Sequence, residues 1–245
     1  ENVKDPSKIK NDIAREVISY FNLPPMTMIF NSDIPSTGTG LAASSSYMVA
    51  AIAAALDFLG QDWSQSEICE LAVKLERKFN PLTGYQDAYG CGIGGLKRFY
   101  FQKGGNVIIE FLRSRMFRDL SMSLVPTGVK RSSTKILSTI DSEKSLKLLQ
   151  DVDNMVRCNS VGEVCEVINS AWENKKKISE SILNNSISKL DEQLKELYTG
   201  RKLLGAGGGG YFLVMCDRSL GLTVEPIDGT VPIQIDNKGV RVYAN

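Results

Sequence analysis

The chain has 245 residues, 42% apolar and 23% charged, enough to bury a core in one large domain or two small ones. Its 29 basic residues balance 28 acidic ones with no block of like charge, which excludes the electrostatic footprint of a nucleic-acid binder. Histidine is absent, so His-based nucleophile systems and His-ligated metal sites are excluded, and proton transfer falls to Asp, Glu, Lys, Tyr or water.

Ile9, Ile13, Val17 and Ile18 recur at helical spacing over Pro6 to Phe21, and Leu23-Pro24-Pro25 ends that helix. Met26 to Phe30 reads as a strand running into the Gly/Ser-rich stretch Ser32 to Leu41, followed by an alanine-rich buried helix over Ala42 to Leu59. Ser64-x-x-Glu67 is a capping box opening a helix to about Phe79, with Glu76 near its end. Asn80 to Gly95 reads as a Gly/Tyr loop with room for a short helix, before strands at Phe99 to Phe101 and Asn106 to Phe111.

A second half begins near Met116. It is expected to hold a strand over Leu120 to Val125, a helix over Ser132 to Leu149 and a helix capped by Ser160 reaching about Ile182. A helix over Ser186 to Tyr198 follows, then Lys202 to Cys216, where glycines run straight into an apolar strand. Thr223 to Pro226, Val231 to Ile235 and Val240 to Tyr243 close the chain as short strands. Mixed elements without a repeat make the fold α+β. The five cysteines are odd in number and lack a C-x-x-C pair, which argues against a disulfide framework or zinc knuckle and fits a cytoplasmic protein. The charged N-terminus and the short apolar run Met48 to Leu59 offer neither signal peptide nor membrane span.

Two stretches point to anion chemistry. Glycines and serines ahead of an apolar helix can offer unpaired main-chain N–H groups to a phosphate, with Ser44, Ser45 and Ser46 adding hydroxyls; a Ser/Gly helix cap is the plainer alternative. It is not a Walker A loop, since G-K-[ST] is missing. Four glycines in succession, Gly207 to Gly210, cost roughly 0.5–1 kcal/mol each against Ala and ask for close backbone approach to a ligand or another loop.

Asp33-Ile-Pro-Ser-Thr-Gly-Thr-Gly-Leu-Ala-Ala-Ser-Ser-Ser46 resembles the second motif of the GHMP kinases, a proline followed by a Gly-Leu-Gly-Ser-Ser core. Lys202-Leu-Leu-Gly-Ala-Gly-Gly-Gly-Gly210 resembles their third, in the form typical of the D-glycero-D-manno-heptose 7-phosphate kinase branch. Gln86-Asp87-x-Tyr89 through Gly94-Gly95 and Thr127-Gly-Val-Lys-Arg-Ser132 are similar to that branch too. Ala42 and Ala43 stand where the family has Gly and Ser, and the first motif, an Arg-x-Pro strand with a glycine-rich sugar-binding run, is missing.

The resemblance implies an α+β fold of two domains. Residues 1–115 would form a ribosomal protein S5 domain 2-like half lacking its first strands, and residues 116–245 a ferredoxin-like half. It implies an ATP-dependent sugar kinase, with heptose 7-phosphate phosphorylated at the anomeric position as the first expectation. A fucokinase-like or other GHMP small-molecule kinase and a non-catalytic nucleotide-binding relative are the alternatives. ATP would be held by Pro35, Gly38, Gly40, Leu41, Ala42, Ala43, Ser44, Ser45 and Ser46 and by Gly205, Gly207, Gly208 and Gly209; Mg2+ by Ser44 and Glu76. Asp87 would sit by the acceptor hydroxyl, and Arg98, Lys130 and Arg131 could meet a substrate phosphate. The expected partner is a sugar or sugar phosphate, not nucleic acid or membrane, with a homodimer left open.

Overall fold

The computed structural model describes every residue except 1, 34–37, 113–115, 131–135, 137–144, 225–226 and 244–245. Two compact units result: residues 1–36, 42–111 and 235–245, and residues 37–41 and 112–234. Two segments thus cross the division drawn at 115/116. The tail folds with the first unit, and the short run 37–41 with the second.

The first unit is a helical layer with a hairpin. A 3-10 turn at Pro6–Lys8 precedes α1, Asp12–Phe21, which starts later than the spacing suggested because Asn11 caps it by accepting from the Ala14 N–H. Residues 26–30 pair with no described strand, although Met28 and Phe30 pack on the helical core while Ile29 is exposed. The alternation was real; without a neighbouring ladder it does not make a strand. Helix α2, Ala43–Phe58, is buried through Met48, Val49, Ile52, Ala53 and Leu56. Each large apolar side chain so buried contributes about 1.5–3 kcal/mol before entropy is counted. Helix α3, Gln65–Glu76, carries the expected capping box, Ser64 with Glu67, and stops at Glu76 rather than Phe79. Helix α4, Tyr85–Gly92, is the short helix for which the loop Asn80 to Gly95 left room, and takes up half of it. Strands β1, Lys97–Phe101, and β2, Val107–Phe111, form an antiparallel hairpin in the register Lys97↔Phe111. The tail returns to this unit: Val240 N–H donates to Gly92 O at 3.0 Å, but residues 240–243 form no strand.

In the second unit, β3 (Leu120–Pro126), β4 (Gly200–Leu203), β5 (Tyr211–Asp217) and β6 (Val231–Ile233) form an antiparallel sheet ordered β4-β5-β3-β6. Helices α5 (Lys147–Arg157), α6 (Val161–Lys176) and α7 (Asn185–Leu197) accompany it. Most of the expected helix 132–149 lies outside the described residues, and α5 runs eight residues beyond its expected end. Ser160 caps α6 as read, yet α6 ends at Lys176 and a separate 3-10 turn, Glu180–Ile182, follows. In the tail, residues 223–224 are not strand and 225–226 lie outside the described residues. Trp172 meets Phe212 edge-on at 5.5 Å in the core, and its indole N–H donates to Asp191 at 2.9 Å. Arg201 pairs with the same buried carboxylate at 2.7 Å, so α6, α7 and β4 are fixed together. All five cysteines are free thiols, and no helix among the described residues is long and apolar enough to cross a membrane.

Candidate active site

Helix α2 opens without a side-chain cap. Its N-cap, Ala42, has φ 56°, ψ 30°, and Ala42 O accepts from Ser46 N–H at 2.9 Å, the first intrahelical bond. The N–H groups of Ala43, Ser44 and Ser45 therefore have no intrahelical acceptor and carry the positive end of the helix dipole. The left-handed conformation explains why glycine suits position 42 in the motif: an alanine there costs about 1 kcal/mol or more.

Glu76, the last residue of α3, points into this opening. It is 1% exposed, and its two carboxylate oxygens accept from the Ser44 and Ser45 hydroxyls, each at 2.6 Å. A carboxylate at a helix C-terminus meets the wrong end of the dipole, and burial adds desolvation cost. No cation pairs with Glu76 among the described residues. The hydroxyl and carboxylate oxygens here are the hard donors magnesium takes. No group of three or more Cys, Asp or Glu that could hold a metal occurs among the described residues, so such an ion would need oxygens from its ligand and from water.

Asp87 is exposed in the first turn of α4, where a negative charge suits the dipole. Cys91, one turn further, ties the neighbourhood together. Its Sγ lies 4.0 Å from Ala42 O, and its pKa is pushed up to about 11 by burial first and then by the Asp87 charge, with Glu76 adding to the rise and Lys97 opposing it. Helix α4 can approach α2 and α3 closely because Gly92 has no Cβ; one built there would lie 2.3 Å from Cys69 Sγ and 3.4 Å from Val49. The structure thus brings Ala42, Ser44, Ser45, Glu76 and Asp87 into one neighbourhood of the first unit. Arg98 is committed elsewhere: its guanidinium lies 4.6 Å over Tyr100, and its register partner is Glu110.

In the second unit the glycines approach protein. Register partners Pro126↔Tyr211 set the loop after β3 beside the run before β5. Gly210 O accepts from Thr127 N–H and Oγ1, both at 2.9 Å, and Gly210 N–H donates to Val129 O at 3.0 Å. Gly210 has φ 94°, and a Cβ there would fall 2.1 Å from Thr39 O, so residues 38–41, which lead directly into α2, lie against it. Gly208 N–H donates to Ile182 O at 2.9 Å, and a Cβ at Gly208 would meet Ile136 at 2.8 Å. Lys130 is exposed at the end of the Thr127 loop; Pro35 and Arg131 lie outside the described residues.

Ser45, expected at the nucleotide, binds Glu76 as closely as Ser44 does. Sequence reading missed two contributors: Lys175 donates to Leu203 O at 2.8 Å and to Gly205 O at the approach to the glycine run, and Lys97 grips the end of α4. Neither had a signal, because the lysines look like any solvated cations.

A family profile described as GHMP kinases N terminal domain matches residues 8–95, a span that contains Ser44, Ser45, Glu76 and Asp87. Over that span the chain is similar to the N-terminal domain of GHMP kinases. It is 27% identical over 229 residues to the D-glycero-alpha-D-manno-heptose 7-phosphate kinase of Campylobacter jejuni, covering 85% of this chain and 67% of that one. It is 26% identical over 242 residues to the L-fucokinase/L-fucose-1-P guanylyltransferase of Bacteroides fragilis, covering 87% of this chain but only 25% of that protein. A crystal structure of mevalonate kinase superposes with TM-score 0.69 at 17% identity over 87% of this chain and 71% of its own, a likeness of fold alone. The chain spans about a quarter of the length of the B. fragilis protein and about two thirds of that of the C. jejuni kinase.

Proposed function

We propose that this chain belongs to an ATP-dependent kinase of the GHMP type that transfers the γ-phosphoryl group to a sugar or sugar-phosphate hydroxyl. The anomeric hydroxyl of D-glycero-D-manno-heptose 7-phosphate is our first acceptor. The carrying observation is Glu76, a buried carboxylate bonded to two serine hydroxyls at the opening of α2, where no side chain caps the helix. Ser44 and Glu76 would hold magnesium, which when bound neutralises charge on the β- and γ-phosphates.

The unpaired amides of α2 receive phosphate oxygens, and Ser45 holds the Glu76 carboxylate in place. Asp87 orients the acceptor hydroxyl and takes its proton as that oxygen bonds to the γ-phosphorus and ADP leaves. Phosphoryl transfer asks mainly for alignment and charge neutralisation, so the lack of histidine is no obstacle. Lys130 is our candidate contact for an anionic substrate. The assignment of loops 38–41 and 205–209 to the nucleotide rests on the motifs.

The B. fragilis similarity favours L-fucose as the second acceptor, since identity and coverage of this chain nearly equal those of the heptose kinase. The test is turnover of MgATP with heptose 7-phosphate, L-fucose and mevalonate in parallel. The highest kcat/KM is expected with the heptose phosphate. Preference for L-fucose moves the assignment to the second acceptor, and nucleotide binding without turnover on any hydroxyl overturns the kinase reading for a binding role.

A further inference from the structure

Helix α4 has only eight residues, too short to persist alone, and its N-cap Gly84 offers no side chain. Its far end must be held from outside. Tyr89 O accepts from Ile93 N–H at 3.3 Å, and Gly92 O from Val240 N–H at 3.0 Å. The ammonium of Lys97, the first residue of β1, supplies the rest: it donates to Ile93 O, to Gly95 O at 3.2 Å and to Gly90 O at 3.4 Å. Gly95 is itself pinned, its N–H donating to Asp236 O at 2.7 Å. All three ammonium donors are thus aimed at main-chain carbonyls, an arrangement that replaces a cation's water shell with protein oxygens.

We propose that the Lys97 ammonium acts as a tethered monovalent cation, caged by the Gly90, Ile93 and Gly95 carbonyls, that fixes the C-terminal end of α4 and so positions Asp87 for its acceptor. The charge faces Cys69 and Cys91 from α3 and α4 and Asp236 from the tail, and burial lowers its pKa while those groups oppose the shift. A cation at a helix C-terminus also meets the favourable end of the dipole. Lys97 is a positioning residue; it acts through the helix that carries Asp87. That last step rests on the proposed role of Asp87, whereas the caging does not.

The test compares the parent with Lys97→Met, which keeps the stem without the charge, and with Lys97→Arg. In Lys97→Met we expect amide exchange over 89–93 to quicken about tenfold or more, kcat to fall about tenfold with the KM for ATP within about twofold, and ammonium or potassium chloride, but not tetramethylammonium chloride, to recover both. Lys97→Arg should lie nearer the parent. Exchange in Lys97→Met that matches the parent, or that all three salts restore alike, overturns the caging even if no turnover is found in any form. Faster exchange with unchanged kcat in an active protein overturns the positioning of Asp87 and leaves the kinase reading standing. Should Lys97→Met not fold, Lys97→Gln is measured the same way, with the same outcomes for and against.

Discussion

The opening of α2 and the glycine run before β5 both read as phosphate cradles, yet they are built differently. At the α2 opening three helix amides lack intrahelical acceptors, and Glu76 is buried with two serine hydroxyls and, among the described residues, no cation. In the glycine run, by contrast, Gly208 and Gly210 are bonded to protein. Gly210 is bonded at both its N–H and its C=O and sits against Thr39, and Gly208 bonds Ile182. A helix opening with amides and a buried carboxylate is arranged for a ligand, whereas Gly208 and Gly210, bonded to their neighbours, help fix the shape of their own loop. The first should therefore fail in function when altered, and the second in stability.

The largest effect is expected at Asp87. Asp87→Asn should cut kcat by roughly 100-fold or more, with the KM for ATP and the melting temperature near those of the parent, because the lost contact belongs to the transition state. Steady-state kinetics and a thermal melt check it; equal turnover removes Asp87 from the mechanism.

Next comes Gly210→Ala, where φ is 94° and the new Cβ would meet Thr39 O at 2.1 Å. A loss of roughly 2 kcal/mol or more is expected, or about 4–8 °C in Tm for a chain of this size. Gly128→Ala, at φ 70° with nothing near its Cβ, should cost only about 1 kcal/mol. Equal melting of the two variants would deny that packing explains the glycine run.

The smallest effect concerns pH. Burial is the first cause that pushes Cys69 up to about 12 and Cys91 and Cys165 to about 11, from an ordinary 9.0. Unfolded thiols release protons from pH 9 while folded ones keep them, so this stabilisation is full below pH 9 and is lost as pH rises toward 11–12. Lys97 and Lys202, whose pKa values burial lowers, act in the opposite sense below 10.5. Cys69→Ala should flatten the fall of Tm between pH 9 and 11. An unchanged slope would remove its burial as a cause.

Much of this was legible in the sequence where a local rule decides the outcome. The Ser64 capping box, the alanine-rich α2 and the apolar strand after the glycine run follow from spacing and composition, and the motif resemblance pointed to Ser44 and Glu76, which the structure joins by a hydrogen bond. What was not legible depends on partners distant along the chain. Residues 26–30 alternate properly but find no ladder, α5 continues beyond Leu149, and the tail packs on Gly92 and Gly94 rather than forming a strand. Ala42 seemed a departure from the motif until its left-handed backbone showed what the position demands. Lys97 and Lys175 were invisible because a lysine's partners are main-chain carbonyls that no pattern reveals.

The role given to Glu76 can be measured directly by titrating the protein and Glu76→Gln with ATP calorimetrically, once with magnesium and once with excess EDTA. Gln keeps the size of the side chain and can still accept from a serine hydroxyl, so the variant should fold. The parent should bind ATP at least about tenfold tighter with magnesium, a gap of about 1.4 kcal/mol, and the variant should lose that gap while binding metal-free ATP about as well as the parent. The same gap in both proteins would contradict the assignment of Glu76 to the nucleotide's metal.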